Sequence, residues 1–195
     1  VSKTFGLDAV NAAIEAGIND LGENRAQEFK QKVAVAGNRA RWHFIGHLQT
    51  NKVRNVVGTT FLIHSVDRFG LAEAIARRAA TLGVTQDVLI EVNVARDPRK
   101  FGIAPAGLRS LLGDIAELES IRVRGLMTMA PFADDPAESR PYFAELAELG
   151  AELGGASEPV ELSMGMTRDF EVAIEEGATI VRVGEAIFGP RRPAI

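Results

Sequence analysis

The sequence predicts an α/β fold, a single closed (β/α)8 or TIM barrel of parallel strands with a helix after each strand. Three observations predict it. Strand-like and helix-like segments alternate eight times along the 195 residues, and parallel strands need crossover helices of this kind. The first strand ends on Lys3 and the eighth on Arg182-Val183-Gly184, so closing the sheet would bring polar residues from both ends of the chain to one mouth. No G-x-G-x-x-G follows the first strand, which disfavours an open, doubly wound dinucleotide-binding sheet.

Val1 to Lys3 is the first expected strand, and the helix after it runs from Asp8 as cap to Ala16, with Gly17 as its stop. Ile18 to Leu21 is the second strand; Gly22-Glu23-Asn24 then leads into a polar helix reaching Ala36. The third strand, Trp42-His43-Phe44-Ile45, precedes a helix over Gln49 to Val57, and the fourth is Phe61 to His64. The next helix has the clearest punctuation: Asp67 as cap, Leu71, Ile75, Ala79 and Leu82 on one face, and Gly83 at the stop. Val88 to Val94, interrupted by Glu91 and Asn93, is the fifth strand. A charged loop to Lys100 follows it, then a helix bearing Leu108, Leu111, Leu112, Ile115 and Leu118. Val123 to Met129 is the sixth strand. Phe143, Leu146, Leu149 and Leu153 mark the following helix, which stops at Gly154-Gly155. Val160 to Ser163, a helix from Thr167 to Glu176, and Thr179 to Val183 complete the eight units, with one more turn over Ala186 to Gly189 before an Arg-Pro tail.

Composition narrows the function. Hydrophobic residues make up 46% and charged residues 25%, enough for one core, and one domain over 1–195 is expected. The chain has no cysteine, which removes disulfide and thiolate chemistry and fits a cytoplasmic protein. A net charge of -4 and a pI near 5.5 argue against a binder of nucleic acid. No apolar run of membrane-spanning length and no signal peptide are seen. The chain starts inside an apparent strand, so it is read as lacking a short N-terminal segment.

The strand ends expected at the mouth carry Lys3, Asn24, His43, His64, Asn93, Met129, Ser163 and Arg182. Desolvation of Lys3 at a strand edge would favour its neutral amine, the form that attacks an aldehyde. Arg182 interrupts an apolar strand and needs an acceptor, either a carboxylate such as Glu91 inside the barrel or a ligand atom such as a pyridine nitrogen. Ser163 to Thr167 and Gly184-Glu185-Ala186 lie after the last two strands, where barrels commonly place a phosphate site. Glu185 would contribute only its amide, and Thr167 by itself could be an ordinary helix cap. His43, His64 and Asn93 are read as catalytic groups or as satisfied polar groups. The three histidines lack metal-binding spacing, and no serine-histidine-acid arrangement or nucleophile elbow is present. Lysine, arginine and a glycine-led phosphate cradle at one mouth are the equipment for holding pyridoxal phosphate.

Seven ordered blocks carry a resemblance that covers nearly the whole chain. They are Val1-Ser2-Lys3-Thr4, Gly22-Glu23-Asn24, Trp42 to Gln49 with Asn51-Lys52, His64-Ser65-Val66-Asp67, Leu162 to Met166, Val181 to Gly184, and Ala186 to Gly189. With them the chain resembles the pyridoxal phosphate homeostasis proteins, once labelled proline synthetase co-transcribed proteins, whose fold is similar to the barrel of alanine racemase. The resemblance implies that Lys3 forms an aldimine with pyridoxal 5'-phosphate, that Arg182 meets the pyridine nitrogen, and that Thr167, Gly184 and the Glu185 amide hold the phosphate. Asn24, His43 and Ser163 complete the expected cofactor-binding set. The chain departs from the family in lacking the helical segment that precedes the lysine strand and in carrying Thr167 where serine is common.

Arginine stays protonated and leaves a pyridine nitrogen neutral, so the cofactor would be a weak electron sink. The single tyrosine, Tyr142, falls in or before an outer helix, and no second domain is present to supply an opposing base. The expectation is a monomeric carrier that takes part in intracellular pyridoxal phosphate homeostasis, with apo-enzymes as transient recipients. A racemase or related pyridoxal-dependent enzyme is the alternative, and a cofactor-free Schiff-base aldolase comes third.

Overall fold

The computed structural model describes residues 1–153 and 160–190. The expected stop at Gly154-Gly155 and the Arg-Pro tail beyond Pro190 lie outside the described residues. Seven strands, β1 (Asp20–Glu23), β2 (Arg41–Phe44), β3 (Leu62–Val66), β4 (Gln86–Glu91), β5 (Ile121–Met127), β6 (Glu161–Met166) and β7 (Ile180–Arg182), form one sheet in chain order. All neighbouring pairs are parallel. The helices are α1 (Leu7–Glu15), α2 (Ala26–Ala36), α3 (Phe69–Leu82), α4 (Leu108–Ala116), α5 (Arg140–Leu153), α6 (Phe170–Glu175) and α7 (Glu185–Phe188). Between β2 and β3 the expected α-helix is a 3-10 segment, Thr50–Asn55.

Val1 to Lys3 corrects the expectation of an eighth ladder-forming strand. Ser2 donates its amide to the Gly22 carbonyl at 3.0 Å on the β1 side, and the Val1 nitrogen donates to the Val183 carbonyl at 2.5 Å on the β7 side. One bond on each side bridges the two edges without making a ladder, and Lys3-Thr4 already turns away. The turn closes through Phe5 N donating to Ser2 O at 3.1 Å, and Thr4 sits at φ 70°, a left-handed conformation that a β-branched residue adopts only under constraint. The sheet is thereby brought round into a nearly closed barrel with helices between its strands.

Side chains alternate between two layers, because successive strand residues face opposite sides. Leu21, Phe44, Ile63, Val88, Ile90, Leu126, Leu162 and Met164 join the main core shared with the helices. Leu62, Leu89 and Met127, with Ile180, form a separate small cluster. Strands buried on both faces are what a parallel sheet covered by helices requires. Burial of Leu71, Ile75 and Ala79 on α3 follows the expected stripe, whereas Leu82 is 41% exposed. Gly83 stops that helix in the left-handed conformation at φ 67°.

Three helix starts differ from expectation. Gly6 rather than Asp8 is the cap of α1, and Arg68 rather than Asp67 the cap of α3. Asp67 instead pairs with Arg68. The helix expected from Thr167 starts at Phe170, because the Asp169 carboxylate accepts the Met166 amide at 2.6 Å and folds 166–169 into a turn. At Gly46 a Cβ would stand 2.1 Å from the Asn24 carbonyl oxygen, so the chain leaving β2 passes the end of β1 only as glycine.

Candidate functional site

Arg182, the last residue of β7, is buried at 7% exposure. Its Nη1 donates to Ser163 Oγ at 2.7 Å and its Nη2 to the Thr128 carbonyl at 2.8 Å. Burial lowers the guanidinium to about 10, with Glu91 and Asp169 acting in the opposite direction, so it remains a cation at neutral pH. The ion pair with Glu91 considered from sequence is not formed among the described residues. Glu91 instead acts at longer range: burial, reinforced by Asp67, pushes its carboxyl up to about 7, and Arg182 opposes the shift. A guanidinium has five N–H donors, and only two are used by these protein acceptors.

His43 and Ser163 were expected at the mouth; both have their polar atoms engaged inside the barrel. Ser163 Oγ contacts Arg182 and, at 2.9 Å, His64 Nδ1. His43 Nδ1 lies 2.9 Å from His64 Nε2, and His43 Nε2 lies 3.1 Å from Asp20 Oδ1. Asp20 opens β1, so His43 faces the N-terminal end of the strands. The register pairs Gly22 with His43, and Asp20, two residues before Gly22, lies on the same face of β1. Desolvation holds both histidines below their ordinary range, His64 well below it.

Lys3 is half-buried and directly follows Ser2, whose placement is strongly determined. Ser2 Oγ donates to Glu23 Oε1 at 2.7 Å, and Lys32 Nζ donates to the Ser2 carbonyl at 2.8 Å and also to Glu23 Oε1. Glu23 and Lys32 are buried, while Glu23 Oε2 has no hydrogen-bond partner among the described residues. On the other side Val1 touches Gly184, where a Cβ would meet the Val1 carbonyl oxygen at 3.1 Å. Lys3 thus leaves the barrel wall between β1, which Asn24 follows, and β7, which leads to Gly184.

Thr167 and Gly184 are brought together: the Gly184 amide donates to Thr167 Oγ1 at 3.4 Å. Thr167 is not a helix cap, since Asp169 occupies that position in α6. Glu185 is exposed at the start of the four-residue α7. Asn24 Oδ1 is buried without a hydrogen-bond partner among the described residues. A long amide-to-hydroxyl contact, an orphaned amide oxygen and the unused guanidinium donors together fit a ligand carrying an anion and a planar polar ring.

Asn93 does not serve the mouth directly. Its side chain donates to Asp97 O at 2.8 Å and accepts from the Asp97 amide at 3.3 Å, ordering the loop after β4. Met129 is partly exposed, and Lys100 donates to the Met129 and Ala130 carbonyls. Tyr142 lies on α5, packed against the core between helices and sheet. Sequence reasoning missed Asp20, Thr128 and the Glu23–Lys32 pair. Lys32 had a visible signal, because it stands three residues after Phe29 and four before Ala36, on the buried stripe of α2. No cluster of metal-binding residues occurs among the described residues, and no described helix is long and apolar enough to cross a membrane.

The barrel and its seam define a class. Residues 1–192 match the family model described as alanine racemase, N-terminal domain. The alanine racemase of Clostridium difficile 630 superposes with a TM-score of 0.76 at 14% identity, over 98% of this chain and 50% of the racemase, a likeness of fold. Much nearer is the pyridoxal phosphate homeostasis protein of Aquifex aeolicus (strain VF5), 47% identical over 98% of this chain and 85% of the relative. The structure of PipY from Synechococcus elongatus PCC7942 with PLP bound has a TM-score of 0.87 and 37% identity, covering 96% of this chain and 90% of PipY. The chain belongs to the pyridoxal phosphate homeostasis protein family, within the larger set of alanine racemase-like barrels.

Proposed function

We propose that this chain binds pyridoxal 5'-phosphate and takes part in intracellular pyridoxal phosphate homeostasis, holding and releasing the cofactor rather than turning over amino acids. Lys3 is its covalent anchor, Arg182 faces the ring nitrogen, and Thr167, Gly184 and the Glu185 amide take the phosphate, with Asn24 at the adjoining edge. When bound, the cofactor supplies an aldehyde for amine capture and a ring that can accept electrons. The observation that carries the reading is Arg182, a buried permanent cation held by Ser163 and Thr128 with donors to spare. A donor of this kind cannot give a pyridine nitrogen the full proton that strong electron withdrawal needs. His43 and His64 have both ring nitrogens engaged, and Tyr142 lies in the outer layer. The opposing base that amino-acid chemistry needs is thus unsupported by these residues. The protein acts in the cytoplasm as a monomer of one domain, with apo-enzymes as transient recipients.

The test compares transfer from the loaded protein to an apo-enzyme with racemisation, transamination and decarboxylation of a panel of amino acids. Transfer with negligible turnover is expected. Sustained turnover at ~1 s⁻¹ or faster, the ordinary enzyme range, would favour a racemase or related enzyme.

A further inference from the structure

Five side chains from β7, β6, β3, β2 and β1 are joined end to end inside the barrel: Arg182, Ser163, His64, His43 and Asp20. The links measure 2.7, 2.9, 2.9 and 3.1 Å in that order. The two ends differ in kind, since a guanidinium only donates and an ionised carboxylate only accepts. Asp20 is ionised at neutral pH: desolvation raises its pKa, but hydrogen bonds from Arg41 and His43 outweigh this and leave it lowered. Each link holds one hydrogen, so with both histidines neutral a single direction satisfies the whole row. Arg182 donates to Ser163, the Ser163 hydroxyl donates to His64 Nδ1, His64 Nε2–H donates to His43 Nδ1, and His43 Nε2–H donates to Asp20. The opposite direction would set a lone pair of His43 Nε2 against the carboxylate.

We infer that Asp20, His43, His64 and Ser163 are positioning residues forming a one-way hydrogen-bond relay, which fixes both histidines as Nε2–H tautomers and carries the protonation state of His43 to Arg182. The groups facing His43 are Asp20, Arg41, Glu161 and His64; those facing His64 are His43 and Arg182; those facing Arg182 include Glu91 and Asp169. Desolvation keeps both imidazoles neutral at neutral pH, and Asp20 makes His43 the better proton acceptor of the two. When His43 becomes a cation, both of its nitrogens must donate, and the inner half of the row reverses. One proton is taken up in all. The Nε2 proton of His64 crosses to His43 Nδ1, the added proton resides on His64 Nδ1, and Ser163 keeps its own, which turns away from the imidazole. Ser163 then accepts from both His64 and Arg182, so the guanidinium shares its acceptor with His64 while His64 never gains charge. The effect on a cofactor held by Arg182 rests on the function proposed above; the tautomers do not.

The relay is tested on the cofactor-free full chain with ¹⁵N-labelled histidine, by long-range ¹H–¹⁵N correlation from about pH 7.5 to about pH 5, the span of histidine titration. Both histidines are expected as Nε2–H at the upper limit, and His64 should switch to Nδ1–H as His43 titrates. An Nδ1–H His64 at the upper limit, or a His64 that stays Nε2–H to the acid limit of the folded protein, overturns the relay. In a second arm Ser163→Ala should weaken pyridoxal phosphate binding about tenfold, as loss of a hydrogen bond to a charged group predicts. It should also free cofactor affinity from the titration of His43, because Ser163 joins His64 to Arg182 whereas His43 bonds His64 directly, while Ser163→Thr restores both. Unchanged affinity and an unchanged pH dependence of binding in Ser163→Ala would also overturn it. Failure of the unsubstituted protein to bind any cofactor would refute the proposed function and leave the tautomer result standing.

Discussion

Lys32 of α2 reaches across to Glu23 at the end of β1, and the same ammonium donates to the Ser2 carbonyl at 2.8 Å. A buried ion pair therefore pins the residue next to Lys3. Because removing one member leaves an uncompensated buried charge, Lys32→Met should destabilise the fold by about 3 kcal/mol or more. Lys32→Met combined with Glu23→Leu should recover most of that loss, as denaturant midpoints will register. A Lys32→Met midpoint equal to that of the parent would mean the pair contributes nothing to stability.

Lys3→Ala should abolish the visible band of the bound cofactor, expected near ~420 nm for this cofactor class. Borohydride should then fix no cofactor to the chain. Retention of the full band would move the attachment to another lysine, and Lys100, already folded against the Met129 and Ala130 carbonyls, would be the first to test.

Thr167→Ala should weaken cofactor binding by roughly tenfold or more, because a charge-assisted hydrogen bond contributes about 1.5 to 3 kcal/mol. Thr167→Ser should keep the affinity, since it preserves the hydroxyl that meets the Gly184 amide. Pyridoxal without its phosphate should bind much less well by titration calorimetry. Equal affinities for the two vitamers would contradict the cradle.

Glu91 gives the protein a signed pH dependence. Its carboxyl has a folded pKa of about 7 against an ordinary value of 4.5. The folded state therefore keeps a proton that the unfolded state releases between those limits, and stability falls as pH rises through that window. The loss should be on the order of 3 kcal/mol. Glu91→Gln should flatten the curve, making the variant more stable than the parent at pH ~8 but little different at pH ~4.5. Parallel denaturation curves at all pH values would show that Glu91 is not held protonated.

Patterning alone disclosed the barrel, because each strand-helix unit records its own burial in local periodicity: the stripe of Leu71, Ile75 and Ala79, the run Val88 to Ile90, the glycine stop at Gly83. The motif blocks around Lys3, Thr167, Arg182 and Gly184 supplied the residues proposed to hold the cofactor, of which the structure brings Thr167 and Gly184 into contact. Helix starts were less legible, as at Asp67 and Thr167, because neighbouring polar residues compete for the same turn, and Asp67 pairs with Arg68. Asp169 seizes the Met166 amide and removes three residues from the expected α6.

Only the closed barrel decided which polar groups meet. Arg182 takes Ser163 and the Thr128 carbonyl instead of Glu91 because the registers of β5, β6 and β7 bring those acceptors within hydrogen-bond reach. His43 meets Asp20 because the β1–β2 register sets it opposite Gly22, whose face of the strand Asp20 shares. Amino-acid order determined the units and their apolar faces through short-range periodicity. The pairing of polar side chains up to 99 residues apart, as in His64 and Ser163, follows from strand register and closure, which are properties of the folded sheet as a whole.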